Sequence, residues 1–439
     1  MPIVPETLQG RTARFVGQRW LLDAVINLIG PEWDQGRLHY WAEMCSRDHS
    51  GPILGLKAMI KKYDDMTREL TALARRFELR AKQGLKEGHP ITASDDFFAA
   101  AILYCAAQWP IFENTALNLA LEKKKVECYL GYARLADHKI EPVEIPYRGR
   151  SLKGYFHLPP GHTGGRLPAL LMINGMDGTK ETSMAASADR FLRRGFACLC
   201  LDVPGQGSSL TGEVWYDPDT FGEVGTASYE WLAARPEVDA AKVMAMGVSF
   251  GSYWATQAVA AEPRFAACAV TFTCFQPGAA PLFEMASPTF KQRLMYMTGS
   301  ADEAALDALA PKLDVREISA KIRMPYLVVA GEDDELSDIG STFEHLNHVP
   351  GPKTLLLYAG DLHGLNHARS SQMGPPGMGY LSDWLRDRSD GKPPESEYVL
   401  VDSRGQVHRS PWGERRTYEY GAPLDLQTLF DDDVATGLA

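Results

Sequence analysis

Apolar residues recur at three- and four-residue intervals from Arg11 to about Asp137, through WLLDAVINLI, ILGLKAMIKKYDDMTRELTALARRF, ASDDFFAAAILYCAAQW and ENTALNLALEKKKVECYLGYARLA. This spacing gathers apolar side chains on one face of a helix, so residues 1–140 are expected to form an all-helical domain. Thr92 or Ser94 is the expected N-cap of the third helix, with Pro90 marking a break before it. After His138 the texture changes. KIEPVEIPY and SLKGYFHLP, joined through Arg148-Gly149-Arg150, predict a β-hairpin. Beyond the loop PPGHTGGRLP, apolar strands alternate with amphipathic helices: ALLMIN, FACLCLD, KVMAMGV, FAACAVTFTCF, YLVVAG and KTLLLYAG carry the strands. Such alternation predicts βαβ units and a mainly parallel sheet covered on both faces, an α/β catalytic domain over 141–386. The rhythm breaks at about 276–315, which reads as an insertion over one sheet edge. Residues 387–439 read as a polar C-terminal extension in which YVLVDSRGQVH can make one hairpin.

At roughly 150 residues per domain, 439 residues suit two to three domains. Apolar residues at 45% and charged residues at 23% exclude disordered and low-complexity classes. No run approaches the ~20 apolar residues of a membrane span, and MPIVPETLQGRTARFVG lacks a basic stretch followed by an apolar one. The expected location is cytoplasmic, with no membrane partner. Lys and Arg number 45 against 56 Asp and Glu, a net charge of −11 that repels a phosphate backbone. Nucleic acid is therefore not an expected partner. The seven cysteines are odd in number and lack metal-ligand spacing, so they are expected as buried free thiols. No Gly-rich nucleotide fingerprint or Walker lysine is present, and neither a cofactor nor a metal is expected.

The sharpest chemical signal is Gly247-Val248-Ser249-Phe250-Gly251, directly after the strand KVMAMGV and before the helix SYWATQAVAA. A GxSxG turn between strand and helix lifts the serine hydroxyl above the sheet. The helix N-terminus adds positive potential where an oxyanion forms. Ser249 needs a base, and the base needs a carboxylate, in the order Ser, Asp or Glu, His. Glu332, Asp333, Asp334 and Glu335 follow the strand YLVVAG, and pattern alone does not choose among them. His363, in the Gly-rich loop after KTLLLYAG, is the expected base, with His367 as competitor; His345 and His348 fall on a helix and are expected to pack or cap. The expected oxyanion donors are the backbone N–H of Phe250 and one from the loop at Gly175 and Met176. The turn Asp202-Val203-Pro204-Gly205-Gln206-Gly207 is expected to shape the pocket floor.

The series INGMDGTKET, LDVPGQGSS, MGVSFGSYWATQAVAAEPRFAACAV, VAGEDDE and GDLH resembles the α/β-hydrolases that carry a large helical N-terminal domain. These are the 2,6-dihydroxypseudooxynicotine hydrolase type and the fungal polyketide-shortening hydrolases of pigment pathways. The likeness covers about 10 to 386 and is most specific at Thr179-Lys180-Glu181 and Ala261-Glu262-Pro263-Arg264. It implies an α/β-hydrolase fold with a helical cap, nucleophile Ser249, acid Asp334 and base His363. A further glutamate assisting the substrate falls on Glu284, although GD-Leu-His and the residues around Glu284 depart from the family pattern. The implied activity is hydrolysis of a carbon–carbon bond beside a ketone, on a β-diketone or acyl-phenol substrate of polyketide type. The alternatives are a carboxylesterase or thioesterase with the same triad, and a non-catalytic binding protein of the same fold. The expected partner is then a small apolar or aromatic ketone held in a cleft under the cap, with Tyr40, Trp109 and Phe112 as candidate lining; a homodimer is the candidate assembly.

Overall fold

The computed structural model of the protein describes residues 10–183 and 189–414. Helices come first: α1 (Ala13–Gly17), α2 (Arg19–Ile29), α3 (Arg37–Glu43), α4 (Arg47–Gly55), α5 (Tyr63–Lys86), α6 (Pro90–Gln108) and α7 (Ala116–Ala133). The stretch from Ile53 to Phe77, expected as one helix, is divided. Its α4 part ends at Gly55 and α5 restarts at Tyr63, where Asp65 accepts the N–H groups of Lys61 and Lys62 at 3.1 Å each. A carboxylate in the first turn satisfies donors that have no helical acceptor. Pro90 is the first residue of α6 rather than a break before it, and Thr92 and Ser94 lie inside the helix. Proline suits that position because its fixed φ is already helical and its missing N–H would have no partner there. Through α6 run Ala99, Ala100, Ala101, Ile102, Leu103, Ala106 and Ala107, all buried, so the helix is covered on every side. Alanine lets its neighbours α5, α7 and the short helix Lys180–Ser183 approach closely.

Ten strands form one sheet: β1 (Ile140–Tyr147), β2 (Arg150–His157), β3 (Leu167–Ile173), β4 (Ala197–Leu201), β5 (Val238–Val248), β6 (Cys268–Thr271), β7 (Tyr326–Gly331), β8 (Lys353–Tyr358), β9 (Glu397–Val401) and β10 (Val407–Pro411). Their order is β1-β2-β4-β3-β5-β6-β7-β8-β9-β10. Every neighbouring pair from β4 to β9 is parallel, while β1, β2 and β10 pair antiparallel. Successive side chains of a strand point to opposite faces, and both faces are covered. On β3, Leu171 enters the large core shared with the helical layer, whereas Leu170 and Met172 enter the core on the other face.

Two boundaries differ from expectation. The C-terminal extension is not simply polar: Tyr398, Val399, Leu400 and Val401 are buried, and β9 lies parallel to β8. The hairpin therefore finishes the sheet and covers an otherwise open edge of β8. The tail after Glu414 lies outside the described residues. The insertion leaves β6 and returns at β7, neighbours in the middle of the sheet, so it does not lie over an edge. Its helix Pro288–Thr298 seats against the helical layer, with Gln292 Oε1 accepting the N–H of Thr12 at 2.8 Å.

A buried ionic cluster joins the helical layer to the sheet. Lys125 of α7 meets Glu122 at 2.8 Å and Glu181 at 3.5 Å, and Lys180 meets Glu181 at 2.7 Å and Asp202 at 2.8 Å. Burial opposes the charge on Lys180, but Asp202, Glu181 and Glu122 outweigh it and raise its pKa. Burial likewise opposes the charge on Glu122, and Lys125 and Lys180 overcome it, lowering that carboxyl. Among the described residues no helix is long and apolar enough to cross a membrane.

Candidate active site

Ser249 stands between β5 and the helix Phe250–Ala261 at φ 55° and ψ −128°. A left-handed φ at a non-glycine residue costs of order 1–3 kcal/mol, and the surrounding hydrogen bonds hold it there. Its N–H donates to Thr271 O at 2.9 Å, and its carbonyl accepts from Ser252 N at 2.7 Å. The flanking glycines answer close approaches. A Cβ on Gly247 would overlap the carbonyl of Gly251, and one on Gly251 would overlap the carbonyls of Ile173 and Asn174.

Ser249 Oγ lies 3.0 Å from His363 Nε2, and His363 Nδ1 lies 2.8 Å from Asp334 Oδ2 and 3.0 Å from Oδ1. An ionised carboxylate only accepts, so Nδ1 carries the proton and Nε2 accepts from the serine hydroxyl. Asp334 and His363 are buried. Asp334 Oδ1 also accepts the N–H groups of Leu336 at 2.8 Å and Ser337 at 3.1 Å, which fix the carboxylate against rotation.

The other carboxylates of the GEDDE loop have separate tasks. Glu332 Oε2 accepts from Gly360 N at 3.0 Å, and Glu335 Oε2 accepts from His363 N at 2.9 Å. The N–H of Asp333 donates to Asp361 O at 2.9 Å. Asp361 Oδ1 in turn gathers the N–H groups of Leu362, His367 and Ala368 at 2.9, 3.0 and 3.2 Å, folding the histidine loop. His367 is exposed. His345 is buried against Ser319 Oγ at 2.7 Å, and His348 Nδ1 lies 2.8 Å from the Glu344 carbonyl.

On the oxyanion side, Phe250 opens its helix, so its N–H has no helical acceptor. Gly175 faces Ser249, since a Cβ there would lie 3.0 Å from Ser249 Cβ. Met176 follows it, buried, in the loop after β3. Gln206 fastens this loop by donating from Nε2 to Gly175 O at 2.6 Å and Asn174 O at 3.2 Å. The turn after β4 thus fixes the position of the loop after β3.

Glu284 is not brought to the triad. It sits in the turn Pro281–Met285 with its side chain 53% exposed, 2.7 Å from Lys291 Nζ, which also meets Glu303 at 2.9 Å and Asp307 at 2.8 Å. One lysine with three acidic neighbours holds the carboxylate at the surface. Its neighbour Phe283 turns inward instead, packing on Phe250 with ring centroids 5.9 Å apart.

Of the candidate lining residues, Trp109 lines a small cavity at the junction of the two layers, Phe112 carries the Arg293 guanidinium on its ring at 4.9 Å, and Tyr40 is 38% exposed. Sequence reading missed two neighbours of the triad. Phe272, at φ 53°, lies beside His363 with centroids 5.8 Å apart, and buried Cys274 donates its N–H to Ser252 Oγ at 3.0 Å. Burial and the charge of Asp334 raise the Cys274 thiol pKa. The left-handed bend after β6 brings both residues in, and no motif marks it. All seven cysteines are unpaired. Among the described residues no cluster of three or more His, Cys, Asp or Glu side chains is arranged to hold a metal ion.

A family model described as "Esterase FrsA-like" matches residues 69–298. Among curated proteins, the chain is 27% identical over 287 residues to a 2,6-dihydropseudooxynicotine hydrolase of Paenarthrobacter nicotinovorans, covering 63% of this chain and 75% of that one. It is 30% identical over 227 residues to the alpha/beta hydrolase ucsC of an Acremonium species, covering 47% and 46%. Identity to the esterase FrsA of Photobacterium profundum is 24% over 251 residues, covering 57% and 56%. The match thus spans about half the length of the latter two. A solved structure of a 2,6-dihydroxy-pseudo-oxynicotine hydrolase shares the fold at TM-score 0.67 and 23% identity, over 80% of this chain and 95% of that one.

Proposed function

The chain belongs to the FrsA-like family of α/β-hydrolases and is a hydrolase; from that premise we propose that Ser249, His363 and Asp334 cleave a carbon–carbon bond beside a ketone. The observation that carries the serine chemistry is the unbroken relay from Ser249 Oγ through His363 to Asp334, at 3.0 and 2.8 Å. Support for a ketone comes from the sequence resemblance and from the likeness to the pseudooxynicotine hydrolase along 75% of its length.

In the proposed reaction Ser249 Oγ attacks the carbonyl carbon and its proton passes to His363 Nε2. Asp334 stabilises the imidazolium and keeps Nδ1 protonated. The backbone N–H groups of Phe250 and Met176 take the oxyanion. Collapse breaks the carbon–carbon bond, and His363 delivers the proton to the departing carbon. A carbanion leaves far less readily than an alkoxide, so the carbon must be conjugated, as in a β-diketone or an acyl-phenol. Water, deprotonated by His363, then releases the acid from Ser249.

A second reading, ester hydrolysis, is favoured by two observations: the family description, and the placement of Glu284 at Lys291, where it gives no help to a carbon leaving group. Parallel turnover of 1-phenylbutane-1,3-dione and a p-nitrophenyl ester by the purified protein separates the two. Higher kcat/KM on the diketone, each rate divided by its uncatalysed rate, is expected. Ester turnover with no diketone cleavage would select the esterase.

A further inference from the structure

The loop after β3 runs past Ser249, and both of its ends are fixed from within the α/β layer. Gln206 Nε2 holds the carbonyls of Asn174 and Gly175, Gly178 N donates to Gly175 O at 3.0 Å, and Asn174 Nδ2 donates to Thr179 O at 3.2 Å and Ser183 Oγ at 2.9 Å. Between those ends stand Met176 and Asp177, with Gly175 and Gly178 on either side. Glycine leaves φ and ψ their widest choice, so bonds to the two ends do not by themselves aim the Met176 N–H. Among the described residues that N–H has no acceptor, as an oxyanion donor requires. The Met176 side chain packs in the apolar core, a contact without direction.

A directional hold on the middle of the loop comes from the other layer. Asp177 Oδ2 accepts from Arg37 Nη2 at 2.6 Å, across 140 positions of sequence. Arg37 opens α3 and is buried. It is fixed in its turn: Nε and Nη2 donate to the buried Asp34 Oδ2 at 3.2 and 3.0 Å, and the guanidinium lies 4.7 Å from the centre of the Trp109 ring. Burial opposes its charge, but Asp34 and Asp177 outweigh it and raise its pKa. A guanidinium so gripped is a rigid post for the carboxylate it holds. Stability alone does not account for the pair, because a buried ion pair adds little over apolar residues of the same volume. The layers are already joined by the cluster of Lys125, Glu181, Lys180 and Asp202. What the Arg37 bond adds is a position for the residue next to Met176.

We infer that Arg37 is a positioning residue: through Asp177 it aims the Met176 N–H at the oxyanion, so that the helical layer completes the oxyanion hole as well as covering the sheet. The inference rests on the reading of Ser249 as nucleophile and Met176 as donor. Two ketones test it on the full chain. In 1,1,1-trifluoro-4-phenylbutan-2-one the electron-poor carbonyl carbon bonds to Ser249 Oγ, the C=O π pair moves onto oxygen, and the serine proton passes to His363. The resulting hemiketal oxyanion sits where the transition-state oxygen would. Its partner, 4-phenylbutan-2-one, binds without that addition. Each Ki is read from protection of Ser249 against a fluorophosphonate label.

In the wild type the trifluoro ketone should bind at least about a hundredfold tighter than its partner. Asp177→Ala should cut that advantage about tenfold or more, while the Ki of the plain ketone moves less than about threefold. Asp177→Asn, whose amide oxygen still accepts from Arg37, should recover most of the loss. Arg37→Gln keeps an N–H near the place of Nε for Asp34 and withdraws the bond to Asp177, so it should match Asp177→Ala; it serves where a thermal melt finds the latter unfolded. The double variant should lose no more than either single one, because both act through one bond. No label on Ser249, or no trifluoro advantage in the wild type, overturns the nucleophile reading and the inference with it. An advantage that survives in both folded single variants overturns the inference alone. So does an equal weakening of both ketones, the mark of a merely structural role, or a double loss equal to the product of the single losses.

Discussion

Among four successive carboxylates, orientation alone makes Asp334 the partner of His363. Asp334→Asn keeps the shape but presents an amide to Nδ1, favouring the tautomer whose Nε2 carries a proton and does not accept from Ser249. A fall in kcat of roughly 10³- to 10⁴-fold is expected, against less than about tenfold for Asp333→Asn, whose contribution here is a backbone N–H. Steady-state kinetics of the two variants decide it, and a larger loss at Asp333 would move the acid by one residue. How much of the site was legible follows from how local its causes are. The turn that carries Ser249 was readable because Gly247 and Gly251 are demanded by contacts within one turn and with the neighbouring strand β3. The choice of Asp334 rested on the resemblance, since its orientation depends on the N–H groups of Leu336 and Ser337, which no alternation reveals. Glu284 was misplaced because its fate is set by Lys291, Glu303 and Asp307 on other elements of the insertion.

At the scale of elements, the strands followed from apolar runs: YLVVAG is β7 as it stands, whereas FAACAVTFTCF shortens to the four residues of β6 and β5 begins four residues before KVMAMGV. What the pattern missed are elements whose burial depends on others. The tail looked polar as a whole, although YVLVDSRGQVH read as a hairpin; β9 is in fact covered on both faces, with Tyr398 and Leu400 in one core and Val399 and Val401 in the other, beside Leu381 and Leu385 of the helix Gly377–Ser389. The helix at Lys180 was visible only as a motif, and the structure gives its reason in the cluster joining α7 to β4. Removing one member of a buried, paired set leaves the others uncompensated, at a cost of about 3–5 kcal/mol. Lys180→Ala should therefore lower the urea midpoint with an unchanged m-value. A shift under about 1 kcal/mol would show that the cluster does not hold the layers together.

For the whole molecule, two buried histidines are expected to contribute to the loss of stability in acid. Burial, with His348 and Lys353 nearby, lowers the pKa of His345 from the ordinary 6.5 to about 3, and burial also holds that of His157 far down. Below about pH 6.5 the unfolded chain takes up these protons and the folded chain does not, so stability present above pH 6.5 drains away toward pH 3. The loss is roughly 1.4 kcal/mol per pH unit per group, about 3 kcal/mol for His345 by pH 4. Chemical denaturation between pH 7 and 4 should show this slope, reduced in His345→Gln; an unaltered slope would remove His345 from the acid response. The assignment of Ser249 as nucleophile is tested most directly by a fluorophosphonate label followed by peptide mass spectrometry. One adduct per chain, on the peptide bearing Ser249, with labelling abolished in Ser249→Ala and slowed at least about a hundredfold in His363→Ala, is the predicted result. Stoichiometric labelling at another residue, or full labelling of Ser249→Ala, would contradict it.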